Sequence, residues 1–243
     1  MIRSAWFAVV TVLATAWYSI RAIAGGARAA PHEEFDSVHQ GWARALLGAS
    51  GVRVRVDGRE RLPSDGGAIL VANHQSNFDI FALLSALPVS IRFVAKQELS
   101  KIPLLARAMR SAGHVFIDRT DRRASVRQMR EAAARVREEG LFLGLFPEGT
   151  RSRDGRLGSF KKGSFVLAIE TGLPIVPIAL DGGWRLSKGR GIQPGEVRIR
   201  IGDPIPTEGR TVKERDLVLD EVRRSVAELL RSGRDESGDT TPV

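Results

Sequence analysis

Residues 68–87 read AILVANHQSNFDIFALLSAL, and this stretch decides the fold. Ala68–Ala72 is a continuous apolar run of the kind found in strands buried on both faces. After seven polar-rich residues, an apolar helical pattern runs to Leu87. A buried strand that turns directly into a helix is the repeating unit of α/β architecture. Working outward, Val52, Val54 and Val56 alternate with Arg53, Arg55 and Asp57 as in a half-buried strand. Further strands are predicted over 91–95, 114–118, 141–146, 175–180 and 196–201. Helices are predicted between and beyond them, over 78–87, 122–139, 160–170 and 212–230. The clearest is 122–139, where Val126, Met129, Ala133 and Val136 share one face and Gly140 follows as a stop signal. The fold class is α/β, with a mostly central sheet of about seven strands flanked by helices.

The N-terminal region is different. Between Arg3 and Arg21 lie 17 uncharged residues, about 25 Å of helix, with Trp6, Trp17 and Tyr18 near its ends. This reads as a helical membrane anchor. A cleaved secretory signal and a buried core helix are the alternatives. A second helical stretch, 33–47, carries Phe35, Val38, Trp42, Ala45 and Leu46 on one stripe, suited either to a bilayer or to the domain. The chain therefore divides into an anchoring segment at 1–50, an α/β domain at 51–231 and a polar tail at 232–243, expected to be disordered.

Composition removes several chemistries. The 243 residues contain no cysteine, which excludes disulfides, thiolate metal sites, iron–sulfur clusters and cysteine nucleophiles. Lys and Arg number 37 against 28 Asp and Glu, a net charge of +9, so an anionic partner or surface is expected. Nucleic acid is the poorest fit, because aromatics are only 6% and no aromatic-plus-basic recognition motif occurs.

Three polar motifs follow predicted strands, where α/β sheets build their sites. In the first, NHQSNFD at 73–79, His74 and Asp79 are five residues apart. They would diverge on a regular helix but can meet across a strand-to-helix turn. The carboxylate would then accept from one imidazole nitrogen and leave the other free as a base. Ser76 and Asp79 also match a capping box, and one carboxylate can serve both purposes. In the second, GHVFIDR at 113–119, a short strand delivers Asp118 and Arg119, which read equally as a simple turn; His114 reads as a core residue. In the third, FPEGTRS at 146–152, a glycine beside a hydroxyl and an arginine suits an anionic oxygen. Glu148 is then the carboxylate that steadies Arg119 or Arg151, or that accepts from a substrate hydroxyl.

Taken together, NHQSNFD, GHVFIDR, FPEGTRS and the later IVPIAL, in this order, resemble the four blocks of the glycerolipid acyltransferases, in particular bacterial lysophosphatidate acyltransferases. AKQEL at 95–99 is similar to the segment that follows the first block. The resemblance spans residues 51–203 and implies that His74 is the general base, oriented by Asp79. It further implies that Arg119, Glu148, Gly149, Thr150 and Arg151 hold the glycerol phosphate, and that the region of Pro177 shapes a pocket. The substrates it implies are lysophosphatidic acid and an acyl thioester on coenzyme A or acyl carrier protein. No metal or other cofactor is expected, since a thioester is already activated.

On this reading the protein works at a cell membrane with its catalytic domain on the cytoplasmic side. Arginines 119, 122, 123, 127, 130, 135 and 137 are candidates to face an anionic membrane or the acyl carrier protein, or form a solvated helix face. A non-catalytic membrane-surface or nucleic-acid module and an ester hydrolase using His74 are the competing function classes. Ser76 as an acylated nucleophile is the weaker mechanism, because its capping role explains it.

Overall fold

The structure, a computed structural model, describes residues 2–64, 67–117, 122–186, 191–238 and 241–243. In chain order its elements begin with α1 (Ile2–Ala27), α2 (His32–Ser50), β1 (Val52–Asp57) and β2 (Ala68–Ala72). There follow α3 (Phe78–Ala86), β3 (Ile91–Lys96), α4 (Pro103–Ser111), β4 (Val115–Ile117) and α5 (Arg122–Glu138). The chain continues with β5 (Phe142–Leu145), α6 (Gly163–Thr171), β6 (Ile175–Asp181), β7 (Gly195–Ile201) and α7 (Arg215–Ser237).

The strands form one sheet in the order β1-β7-β6-β2-β5-β3-β4. All neighbours are parallel except β6 and β7, which are antiparallel. The apolar run that opened the sequence reading is the central strand, and all five of its residues are buried. Its side chains alternate between two cores. Ile69 and Val71 join Leu143, Phe165 and Val222 beneath α5, α6 and α7, while Ala68, Leu70 and Ala72 join Leu47, Leu83 and Val176 beneath α2 and α3. Burial of each large aliphatic or aromatic side chain contributes about 1.5–3 kcal/mol. Helices on both faces explain why β2 reads as continuously apolar rather than alternating.

Five parallel strands, β2 to β6, end at one edge of the sheet. The register there sets up the site. Val71 lies opposite Leu145 and Ala72 opposite Ile178, so the turn after β2 emerges between the loops that follow β5 and β6.

The N-terminal helices have separate fates. α2 packs on the domain, burying Phe35, Val38, Ala43, Leu46 and Leu47, and is part of its core. α1 rests against α2 and α4 along a narrow contact: Ala22 is buried with Phe35 and Ala108, and the Trp42 indole donates to Thr15 Oγ1 at 3.0 Å. Its other side is exposed, including Trp6, Val12, Leu13 and Trp17 at 58–68% exposure. Ile102 and Leu104, near the start of α4, are exposed as well.

Two expectations differ from the structure. The helix α4 was not anticipated, because nine residues starting at Pro103 carry only a short apolar pattern. The disordered tail expected from 232 is helical to Ser237. The cause is Arg234, only 2% exposed, whose guanidinium donates to the Asp181 carboxylate and to the carbonyls of Gly155, Thr241 and Pro242. A charge buried with that many acceptors holds the terminus down, whereas polar composition alone argued for a free end. Of the arginine run on α5, Arg130 pairs with Glu170, Arg135 with Glu139, and Arg137 donates to Thr171 O.

A buried histidine pair ties α2 to the sheet. Phe93 N–H donates to His114 Nδ1 at 2.9 Å, so His114 carries its proton on Nε2, 3.1 Å from His39 Nε2. His114 is thus a core histidine, as its apolar surroundings in the sequence suggested. Beside the pair, Arg92 donates to Asp36 and His32, and His32 faces Glu139. Burial, with help from Arg92, lowers the His39 pKa from 6.5 to about 4; burial, His39 and Arg92 also lower that of His114. Both imidazoles are therefore neutral in the fold and take up protons on unfolding below pH 6.5. Stability is full above that pH and is lost as pH falls toward 4, on the order of 3 kcal/mol for His39. Urea midpoints measured at pH 7 and pH 4.5 should show this loss, and His39→Gln should show less of it. A midpoint independent of pH over that window would contradict the assignment.

Candidate active site

At the end of β2 the backbone is pinned sideways. The Asn73 amide donates to Leu180 O at 2.8 Å and accepts from Leu180 N–H at 2.7 Å. This double bond to β6 follows from the register, in which Ala72 faces Ile178. His74 comes next, on the turn, with its side chain 14% exposed. Its Nδ1 lies 2.7 Å from Asp79 Oδ2.

Asp79 sits in the first turn of α3 and is completely buried. Its Oδ2 also accepts the backbone N–H groups of Gln75 and Ser76, at 2.6 and 2.7 Å. An oxygen that receives two amide protons acts as an acceptor toward the imidazole too, so Nδ1 carries the hydrogen and Nε2 is left bare. One carboxylate oxygen thus both receives amides at the helix start and faces the imidazole. Ser76 Oγ accepts from Phe78 N–H at 3.0 Å and is buried at the helix start, which fits capping.

The loop after β5 completes the site. The Phe146 ring stacks on the His74 imidazole at 4.1 Å between centroids. Glu148 Oε1 accepts His74 N–H at 2.8 Å, and Ser152 N–H donates to His74 O at 2.8 Å. Burial raises the Glu148 pKa, although the N–H groups of His74 and Gly158 act against that rise. Arg151 donates to Asn77 Oδ1 at 2.9 Å, which anchors it beside the turn that carries His74. Thr150 is exposed, and Lys161 Nζ lies over Gly149. The structure thus brings His74, Asp79, Glu148, Gly149, Thr150 and Arg151 to one edge of the sheet. Asp118 and Arg119 lie outside the described residues.

Three contributors carry little signal in the sequence. Asn73 reads only as part of a motif. Phe146 reads as the end of a strand and the start of FPEGTRS. Gly183, in the loop after β6, carried no signal, because its contact is made across more than 100 residues of chain. A Cβ at Gly183 would stand 2.6 Å from Asp79 Oδ1 and 3.2 Å from Ser76 Oγ.

A His–Asp pair in hydrogen-bond contact and an arginine anchored on the same turn thus stand together at the carboxyl edge of the parallel strands. The Acyltransferase family model matches residues 53–181. A chloroplastic 1-acyl-sn-glycerol-3-phosphate acyltransferase of Brassica napus is 41% identical over 179 residues, covering 72% of this chain and 50% of that protein. The human 1-acyl-sn-glycerol-3-phosphate acyltransferase alpha is 33% identical over 183 residues, covering 74% of this chain and 65% of that one. The crystal structure of the 1-acyl-sn-glycerophosphate acyltransferase PlsC of Thermotoga maritima superposes with a TM-score of 0.79 at 30% identity, covering 94% of this chain and 95% of that one. The chain belongs to the acyltransferase family. It spans about half the length of the plant relative and about two thirds of the human one.

The close approach at Gly183 is directly testable. A Gly183→Ala methyl must displace the Asp79 carboxylate by several tenths of an ångström, so turnover should fall about 10- to 100-fold with the fold retained. Steady-state rates alongside thermal melting would check this, and wild-type turnover in the variant would show that Asp79 has room to move.

Proposed function

We propose that the protein is a membrane-associated O-acyltransferase acting on 1-acyl-sn-glycerol 3-phosphate. It moves a fatty acyl group from an acyl thioester, carried on coenzyme A or acyl carrier protein, to the free hydroxyl, and the product is phosphatidic acid. The observation that carries this reading is the 2.7 Å contact between His74 Nδ1 and Asp79 Oδ2, with Arg151 anchored on the same turn.

In this reading His74 Nε2 takes the proton of the acceptor hydroxyl as the oxygen attacks the thioester carbonyl carbon. The C–S bond then breaks, and the departing sulfur takes up that proton from the imidazolium. Ester and thiol are released and His74 returns to its starting form. Asp79 holds Nδ1–H throughout, fixes the tautomer and stabilises the transient charge. Arg151, Thr150 and the backbone at Gly149 bind the acceptor phosphate, with Arg119 as a further ligand. A planar guanidinium suits phosphate oxygens because it offers paired donors.

Acceptor and product are both lipids, and the exposed apolar side of α1 supports seating at a membrane. In residues 3–27 mean hydropathy reaches 1.6 over an 18-residue window that is 11% buried. Arg3 and Arg21 bracket its apolar centre, and we place the domain on the cytoplasmic side of the cell membrane.

With radiolabelled acyl thioester and lysophosphatidate, the wild type should yield labelled phosphatidate. His74→Ala should lower that rate by about 10²- to 10⁴-fold while melting as the wild type does. Free fatty acid as the main product, or an active His74→Ala enzyme, would contradict the assignment. Separately, Val12→Lys with Leu13→Lys should weaken partition into anionic vesicles by tenfold or more, because each such apolar side chain contributes about 1.5–3 kcal/mol when fully buried. Unchanged flotation with vesicles would remove α1 as the membrane contact.

A further inference from the structure

The loop after β5 grips His74 by its main chain on both sides. Glu148 Oε1 receives the His74 N–H, while the His74 carbonyl receives the Ser152 N–H. The other oxygen, Glu148 Oε2, receives the N–H of Gly158 at 3.1 Å, and the residue is 8% exposed. Gly158 approaches so closely that a Cβ there would lie 2.6 Å from Oε2. Both oxygens of this carboxylate therefore point at the protein's own backbone.

We propose that Glu148 is a positioning residue for the general base: its carboxylate bridges the His74 and Gly158 amides and fixes where the His74 Cα stands, rather than contacting the acceptor. The proposal rests on the acyl-transfer reading above and alters one assignment within it, since the family resemblance placed Glu148 among the ligands of the glycerol phosphate. Three physical points support it. A buried carboxylate directed at an anionic phosphate would repel it. The hydrogen bond to Asp79 orients the imidazole ring within its own loop but does not tie that loop to β5. The bridge through Glu148, with the Ser152 N–H on the opposite side, supplies that tie. General-base chemistry is sensitive to such placement, because a displacement near 1 Å of a reacting group costs about 100-fold in rate.

The shape of Gly158 is part of the same device. Its backbone does not need positive φ, so the absence of a side chain is explained by the close approach of Oε2 alone. Neither residue depends on the phosphate corner at Arg151, whose guanidinium is held by Asn77.

The test is steady-state kinetics of Glu148→Gln, Glu148→Ala and Gly158→Ala beside the wild type and His74→Ala. It uses the full chain in detergent micelles with lysophosphatidate and an acyl-coenzyme A, and refers rates to the folded fraction. Expected for Glu148→Gln is a kcat lowered about 10- to 100-fold with the KM for lysophosphatidate within threefold of wild type. The amide keeps one acceptor oxygen and so should retain more turnover than Glu148→Ala. Gly158→Ala, which leaves every charge in place, should lower kcat about tenfold with the same KM. A KM raised more than threefold in Glu148→Gln makes Glu148 an acceptor ligand and overturns the proposal, as does a kcat within threefold of wild type. Should the Glu148 variants fail to fold, Gly158→Ala decides by the same criteria. Absence of transfer by the wild type overturns the reaction itself, and this proposal with it.

Discussion

A single oxygen organises the site. Asp79 Oδ2 receives the imidazole Nδ1 and the amides of Gln75 and Ser76 within 2.7 Å. Without it, the turn between β2 and α3 would leave two amide protons at a buried helix start unpaired, and the imidazole would be free to rotate. The carboxylate thus makes the helix start and the base orientation one event. The turn is itself held sideways by Asn73 on β6 and by Glu148 and Ser152 from the loop after β5. Three neighbouring parallel strands therefore fix one imidazole, which is what a rigid sheet edge offers a catalyst and a lone loop does not.

Much of this was legible in the sequence because the signals were local. Ala68–Ala72 announced a central strand through its unbroken apolar character, and all seven strand segments are present to within two residues at either end. His74 and Asp79 were legible because residues five apart diverge on a regular helix but can meet across a strand-to-helix turn. What was hidden depends on contacts distant in the chain. Asn73 acts through Leu180, Gly183 through Asp79, and Arg234 through Asp181 and the last residues of the chain. The role of Glu148 was hidden for the same reason. A carboxylate beside a glycine and an arginine looks like part of a ligand site until its oxygens are seen to face backbone amides 74 residues upstream and 10 residues downstream.

The chain also separates two uses of apolar surface that composition cannot distinguish. The apolar side of α2 is buried partly in the core, through Ala43 and Leu47, and partly against α1 and α4, through Phe35 and Val38. On α1, by contrast, Phe7 meets Phe78 of α3, while Trp6, Val12, Leu13 and Trp17 stay 58–68% exposed. On α5, Arg130, Arg135 and Arg137 are engaged locally, and exposed pairs of this kind contribute little net stability. At the site, the guanidinium of Arg151 is held by a neutral amide, that of Asn77.

The geometry has Asp79 hold His74 with its hydrogen on Nδ1 and its lone pair on Nε2. Nitrogen-15 spectroscopy of histidine-labelled protein reads this directly, with His74→Ala assigning the signal. Expected is a neutral imidazole protonated at Nδ1 and bare at Nε2, with that preference lost in Asp79→Ala. A His74 found with its hydrogen on Nε2, or with a tautomer indifferent to the Asp79 carboxylate, would contradict it.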